Sequence, residues 1–146
     1  MADNAEFVRG LLEAWNDRDF DVILEATAPD AVLTDAGSGE TFRGRDGIHS
    51  YNTMWANAFP DGRITVDRVI ASGDTVVAEY TGNGTHTEPL VTRAGTIPAT
   101  GRSVTLHFCD IYDIKDGQIQ TQHTYGDSGS LMAQLGLTAD QAAPTP

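Results

Sequence analysis

VTLHFCDIYDIKDGQIQTQHTY, residues 104–125, reads as two strands around a turn, and it carries one anomaly. Successive side chains on a strand point to opposite faces. Val104, Leu106, Phe108, Tyr112 and Ile114 therefore share a face, and Asp110 stands among them. The opposite face, with Ser103, Thr105, His107 and Asp113, suits water. A carboxylate in apolar surroundings is disfavoured in its charged form unless it finds donors or takes up a proton. Asp110 is thus a candidate general base, or the orienting partner of one.

The turn decides what stands beside it. Asp116-Gly117 fits a two-residue type I′ turn, which pairs Lys115 with Gln118 and places Asp110 opposite His123. Ile119, Thr121, His123 and Tyr125 then share the face of Asp110. A three-residue loop with a glycine bulge would pair Asp110 with Gln122 instead and turn Gln118, Gln120, Gln122 and Thr124 to that face. Hydrophobic patterning favours the first register and makes His123 a candidate proton carrier. The second keeps Gln122 and Thr124 as candidate substrate contacts.

Working outward, RITVDRVIAS (63–72) and TVVAEYTGNGTHT (75–87) are further strands, followed by an irregular stretch over 88–101. Val76, Ala78 and Tyr80 share a parity that runs through Gly82 and Gly84 to His86, so an unbroken strand aims His86 into the same concavity. The glycines mark where a bulge would reset that parity. The first sixty residues are helical in character. Phe7, Val8, Leu11, Leu12 and Trp15 form one stripe of an amphipathic helix over Asn4–Asn16, and a short helix over Phe20–Ala26 ends before Pro29. AVLTD (31–35) is a short strand, with Asp35 at its end placed to reach the cavity mouth or to begin the turn that follows. A third helix over Arg45–Phe59 carries Ile48, Tyr51, Trp55 and Phe59 on one side, as core or as the roof of a cavity for a flat ligand. Helices first and antiparallel strands after them describe an α+β domain, with a strongly curved sheet over residues 64–125 wrapping the first and third helices. That packing buries Trp15 and Trp55.

Composition sets the limits. At 146 residues the chain fits one domain, taken as 1–138, with a frayed tail over 139–146 that offers nothing to bury. Nine Lys and Arg against 21 Asp and Glu give a net charge of −12, which repels nucleic acid and anionic membranes. The N-terminus lacks the basic start and apolar stretch of a secretory signal, and no apolar run reaches a membrane span, so a cytoplasmic protein is expected. Cys109 is the single cysteine, no Cys/His cluster has zinc spacing, and no cofactor is expected.

The order of elements, together with GTHT (84–87), IPATGRSV (97–104), YDIKDGQI (112–119) and DSGSLMAQLG (127–136), resembles the SnoaL-like polyketide cyclases of the NTF2-like superfamily. The resemblance implies a cone-shaped α+β barrel of curved antiparallel sheet on three helices, with a deep apolar pocket and assembly as a homodimer or homotetramer through the sheet. It also implies cofactor-free aldol closure of a polyketide by an aspartate base, or the related hydroxylase and isomerase chemistry of neighbouring families. By this resemblance the cyclases' base aspartate falls on Thr124 and its companion histidine on Asp110. His86 matches the GTHT histidine, and Asp127 a recurrent aspartate near the last helix.

The function expected is therefore an enzyme acting on a hydrophobic aromatic or polyketide-type molecule. Asp110, His123 and His86 are its candidate catalytic residues. Asp35, Tyr51, Trp55, Phe108, Tyr112, Gln122 and Thr124 are its candidate substrate contacts. The alternatives are a non-catalytic binding protein using the same pocket and a dimerisation module.

Overall fold

Asp3 starts the first helix by accepting hydrogen bonds from the N–H groups of Ala5 and Glu6 at 3.0 and 3.3 Å. The structure, a computed structural model, describes residues 3–137, so the expected tail lies outside the described residues. The helices are α1 (Asn4–Asn16), α2 (Phe20–Glu25), α3 (Gly44–Ala58) and α4 (Ser128–Gln134). The strands are β1 (Thr27–Asp35), β2 (Thr41–Arg43), β3 (Arg63–Ser72), β4 (Thr75–Thr85), β5 (Leu90–Thr92), β6 (Gly95–Ile97), β7 (Ser103–Lys115) and β8 (Gln118–Gly126). All three helices read from the sequence form within a residue or so of the expected bounds.

The sheet corrects the expected architecture. Six strands lie in the order β2-β1-β8-β7-β4-β3, so β2 and β3 are its two edges. It is an open sheet, neither closed into a barrel nor strongly curled. It is also mixed, because β1 runs parallel to β8, with Leu33 beside Gln122 and Asp35 beside Thr124. Over 64–125 the expected antiparallel ladders form, as β3-β4-β7-β8, but the expected cone does not, for a physical reason. Alternating hydrophobicity says which face of a strand is buried, and nothing about which strand lies across the ladder. Nor does the stretch over 88–101 join the main sheet, since β5 and β6 pair only with each other. Arg93 fastens that hairpin by bonding the Thr41 carbonyl and lying over the Phe42 ring, 4.1 Å from its centre.

The helices cover one face of the sheet. α1 packs on β3 and β4, α3 on β1 and β2. The end of α1 is tied to the β3 edge by Asn16, whose amide donates to the Ile64 carbonyl at 2.8 Å and accepts from the Ile64 N–H at 2.6 Å. Arg18 reinforces the tie, donating to the carbonyls of Pro60 and Gly62 at 3.0 and 2.9 Å while its guanidinium lies over the Trp15 ring. Between the two helices the layers do not meet. Trp15 and Trp55, expected to be largely buried, are only half-buried because both border the space left there.

The 104–125 hairpin combines parts of both expected registers. Asp116 and Gly117 take φ of 54° and 72°, the left-handed pair of a type I′ turn, and Lys115 pairs with Gln118. One pair later the ladder slips: Ile114 faces Ile119, but Asp113 faces Thr121, leaving Gln120 as a bulge. Asp110 therefore stands opposite neither His123 nor Gln122 but Thr124. The bulge exchanges the faces of β8, so Gln122 and Thr124 are buried while His123 and Tyr125 face outward. Outside, Thr121 and Thr75 donate to the Asp113 carboxylate at 2.6 and 2.9 Å and hold its pKa down.

Candidate active site

A cavity of about 850 Å³, mouth included, lies between the helices and the inner face of the sheet. Leu11, Leu12 and Trp15 of α1 and Tyr51 and Trp55 of α3 form the helical wall. Phe108, Asp110 and Tyr112 of β7, with Gln122 of β8, form the sheet wall. Gly82 and Gly84 help to keep it open. The β4–β7 pairing runs without a slip from Thr75 to Thr85, so both glycines stay on the inner parity where side chains would fill the space. At Gly84 even a methyl group would meet Phe59 Cβ at 3.0 Å and the edge of its ring at 3.2 Å.

Asp110 is the charged centre of this wall, only 1% exposed. Its Oδ2 accepts from the Tyr112 hydroxyl at 2.7 Å, the Tyr80 hydroxyl at 2.9 Å and the Gln122 amide at 3.3 Å. The Gln122 amide also reaches Thr124 Oγ1 at 3.1 Å. Oδ1, equally buried, makes no hydrogen bond of normal geometry. Burial is the largest influence on this carboxyl and raises its pKa, while the hydroxyls of Tyr112, Tyr80 and Thr124 pull it down. The result is a pKa pushed up to about 6. Such a group is ionised at neutral pH yet far more basic than an ordinary aspartate. Burial, followed by the Asp110 charge, drives Tyr80 and Tyr112 upward, so both remain protonated donors.

Tyr51 and Trp55, one helical turn apart on α3, face the same cavity. Phe42 meets the Tyr51 ring edge-on at 5.1 Å, and Trp55 is held between Phe59 and Phe108 at 6.0 and 5.9 Å. Asp35 does not reach the main cavity. It accepts from the Gly37 N–H at 3.0 Å and borders a smaller hollow behind Tyr51 and Trp55. Asp127 caps α4, accepting from Ser130 N–H at 3.0 Å.

Two of the three expected catalytic residues lie elsewhere. His123 is exposed on the outer face, turned there by the Gln120 bulge. His86 is buried on the inner side as expected, but beyond the end of β4 and outside the cavity. Its Nδ1 accepts from the Thr100 N–H at 3.2 Å, and Phe59 covers its ring at 5.4 Å. Tyr80 is the side chain of this cavity, bonded to Asp110, that the sequence reading leaves in the core. Pairing β4 with β7 would have found it, since Ala78 faces Asp110 and Tyr80 is the next inward residue. Among the described residues no three His, Cys, Asp or Glu side chains converge as metal ligands. No helix there is long and apolar enough to cross a membrane.

An apolar cavity between helices and one face of a sheet, with a buried acid on its wall, is matched by sequence as well. The profile of the SnoaL-like domain covers residues 8–122. The chain belongs to the SnoaL-like family, within the NTF2-like superfamily. IdmH, a candidate polyketide cyclase from Streptomyces antibioticus, is 28% identical to this SnoaL-like chain at a TM-score of 0.77, covering 93% of it and 100% of its own length. TsrD from Streptomyces laurentii is 26% identical at 0.79, covering 94% and 100%. A candidate SnoaL-like polyketide cyclase from Jannaschia sp. CCS1 shares the fold at 0.81 and 22% identity, over 92% of each chain. No curated protein matches the chain.

Proposed function

We propose that this SnoaL-like protein is a cofactor-independent enzyme that performs acid/base chemistry on a hydrophobic, aromatic or polyketide-type small molecule of secondary metabolism. The reaction is cyclase-like aldol closure or the related isomerase or hydroxylase chemistry. One observation carries the reading: Asp110, in the lining of an apolar cavity, keeps three donors on Oδ2 while its buried Oδ1 has no hydrogen-bond partner. In the proposed step Oδ1 takes a proton from a carbon next to a carbonyl, the C–H pair becomes a C=C bond, and negative charge moves onto the carbonyl oxygen. In ring closure that carbon then attacks a second carbonyl of the same molecule. The alkoxide so formed recovers the proton from Asp110. A base with pKa near 6 suits this at neutral pH.

The register also reconciles the acid with the family. The cyclases' base aspartate corresponds to Thr124 by resemblance, and Thr124 is the direct cross-strand partner of Asp110 on the same inner face. Facing side chains of an antiparallel pair have Cβ atoms about 4.5–5.5 Å apart, so the acid stands one strand over on the same inner face of the sheet.

The test follows the α-hydrogens of 1-tetralone, a bicyclic aromatic ketone, in D2O. The wild type should exchange them for deuterium above the buffer rate, and Asp110→Asn should not. Tight binding of the ketone without exchange in the wild type would favour a binding protein that uses the same cavity.

A further inference from the structure

Among the described residues three buried side-chain polar atoms lack a hydrogen-bond partner: Asp110 Oδ1, Trp55 Nε1 and His86 Nε2. The first two belong to residues of one cavity, and they are opposite in kind. Oδ1 can only accept while the carboxylate is ionised, and an indole N–H can only donate. Buried polar groups are nearly always paired. An orphan acceptor and an orphan donor on one cavity are complementary to a ligand that presents both an acidic proton and an oxygen.

The polar atoms between them are continuous. The Thr124 hydroxyl lies beside both the Asp110 carboxyl and the Tyr51 hydroxyl. The Trp55 N–H sits next to the Tyr51 oxygen without making a hydrogen bond of normal geometry. The aromatic contacts of Phe42, Phe59 and Phe108 hold both rings. Fixed donors lose nothing to reorganisation when charge develops on a ligand, which is what makes such sites effective.

We infer that Tyr51 and Trp55 are further catalytic residues, whose O–H and N–H hold the carbonyl oxygen of the substrate while Asp110 Oδ1 faces the carbon beside it. This rests on the acid/base reading above and narrows the substrate to carbonyl compounds with an ionisable α-hydrogen. As the proton passes to Oδ1, the electron pair of the broken C–H bond forms the enolate, whose oxygen stays between the Tyr51 and Trp55 donors. Neither donor gives up its proton.

The test reads the infrared carbonyl stretch of bound 1-tetralone alongside its deuterium exchange. In the wild type the band should lie below that of the ketone in an apolar solvent. Tyr51→Phe and Trp55→Phe should each move it back upward and slow exchange about 10²-fold, the usual cost of one such donor. Asp110→Asn should stop exchange and leave the band lowered. A band already at the apolar-solvent position in the wild type, or unmoved in both variants, would overturn the donor pair and leave the base intact. Exchange that survives in Asp110→Asn would instead remove the base, while the band still judges the donors. Tyr51→Phe removes a single oxygen and carries the test alone if Trp55→Phe does not fold.

Discussion

Asp110 and His86 are both buried, at 1% and 0% exposure, and both are shifted towards the neutral form. Burial raises the carboxyl and lowers the imidazole. They differ in access. Asp110 lines the cavity with three donors on one oxygen and none on the other, whereas His86, whose Nε2 is also unpartnered, lies outside it, fastened by Thr100 and roofed by Phe59. A titratable group becomes chemically useful when burial coincides with room for a ligand, and burial alone gives only a structural histidine.

The largest effect expected from this contrast is that of Asp110→Asn. Loss of the base should lower α-proton exchange by about 10²–10⁴-fold, while the fold gains about 1–3 kcal/mol at pH 7 in urea titrations. The amide still accepts from Tyr80 and Tyr112, and no buried charge remains. The pH dependence has a definite sign. The folded carboxyl titrates near 6 against an ordinary value of 3.8, so wild-type stability should fall as pH rises between those values, and the mutant's advantage should vanish below them. A mutant that is less stable and loses only as much activity as it loses fold would make Asp110 structural.

His86→Ala should behave in the opposite way. Removing the ring leaves a void and frees the Thr100 N–H, at a cost of about 2–4 kcal/mol, while exchange per folded molecule stays unchanged. Because the folded imidazole titrates below its ordinary 6.5, the wild type's advantage should shrink as pH falls through that value. A specific loss of activity in soluble, folded His86→Ala would break the distinction.

Tyr112→Phe should have a smaller effect, since it removes the shortest bond to Asp110, 2.7 Å. The exchange rate should then rise with pH about one unit later than in the wild type. His123→Ala should do least: no more than about 0.5 kcal/mol in stability and no change in exchange. A large loss there would contradict the bulged register.

Much of this contrast was legible in the sequence. Asp110 among Leu106, Phe108 and Tyr112 announced a buried acid, and the Val76–His86 parity aimed His86 inward, where it is buried but outside the cavity it was expected to face. The helical stripes at Leu11, Trp15, Tyr51 and Trp55 marked the inward faces of α1 and α3, though as packed core for α1 and as core or cavity roof for α3. What stayed hidden was set by ladders and slips. A single bulged residue, Gln120, carries no strong local signal, yet it exchanged His123 for Gln122 and Thr124 on the inner face. Hydrophobic counting favoured the other register because it treats the inner face as dry, whereas a buried carboxylate needs donors and β8 supplies them. The parallel β1–β8 pairing and the open sheet were illegible for a similar reason: both depend on partners far apart in the chain.

The most direct measurement is the ¹³C NMR titration of the Asp110 side-chain carboxyl, assigned by its absence in Asp110→Asn. The account predicts a midpoint near pH 6 that moves when 1-tetralone occupies the cavity. A midpoint at or below the ordinary aspartate value of 3.8, unmoved by the ketone, would contradict it.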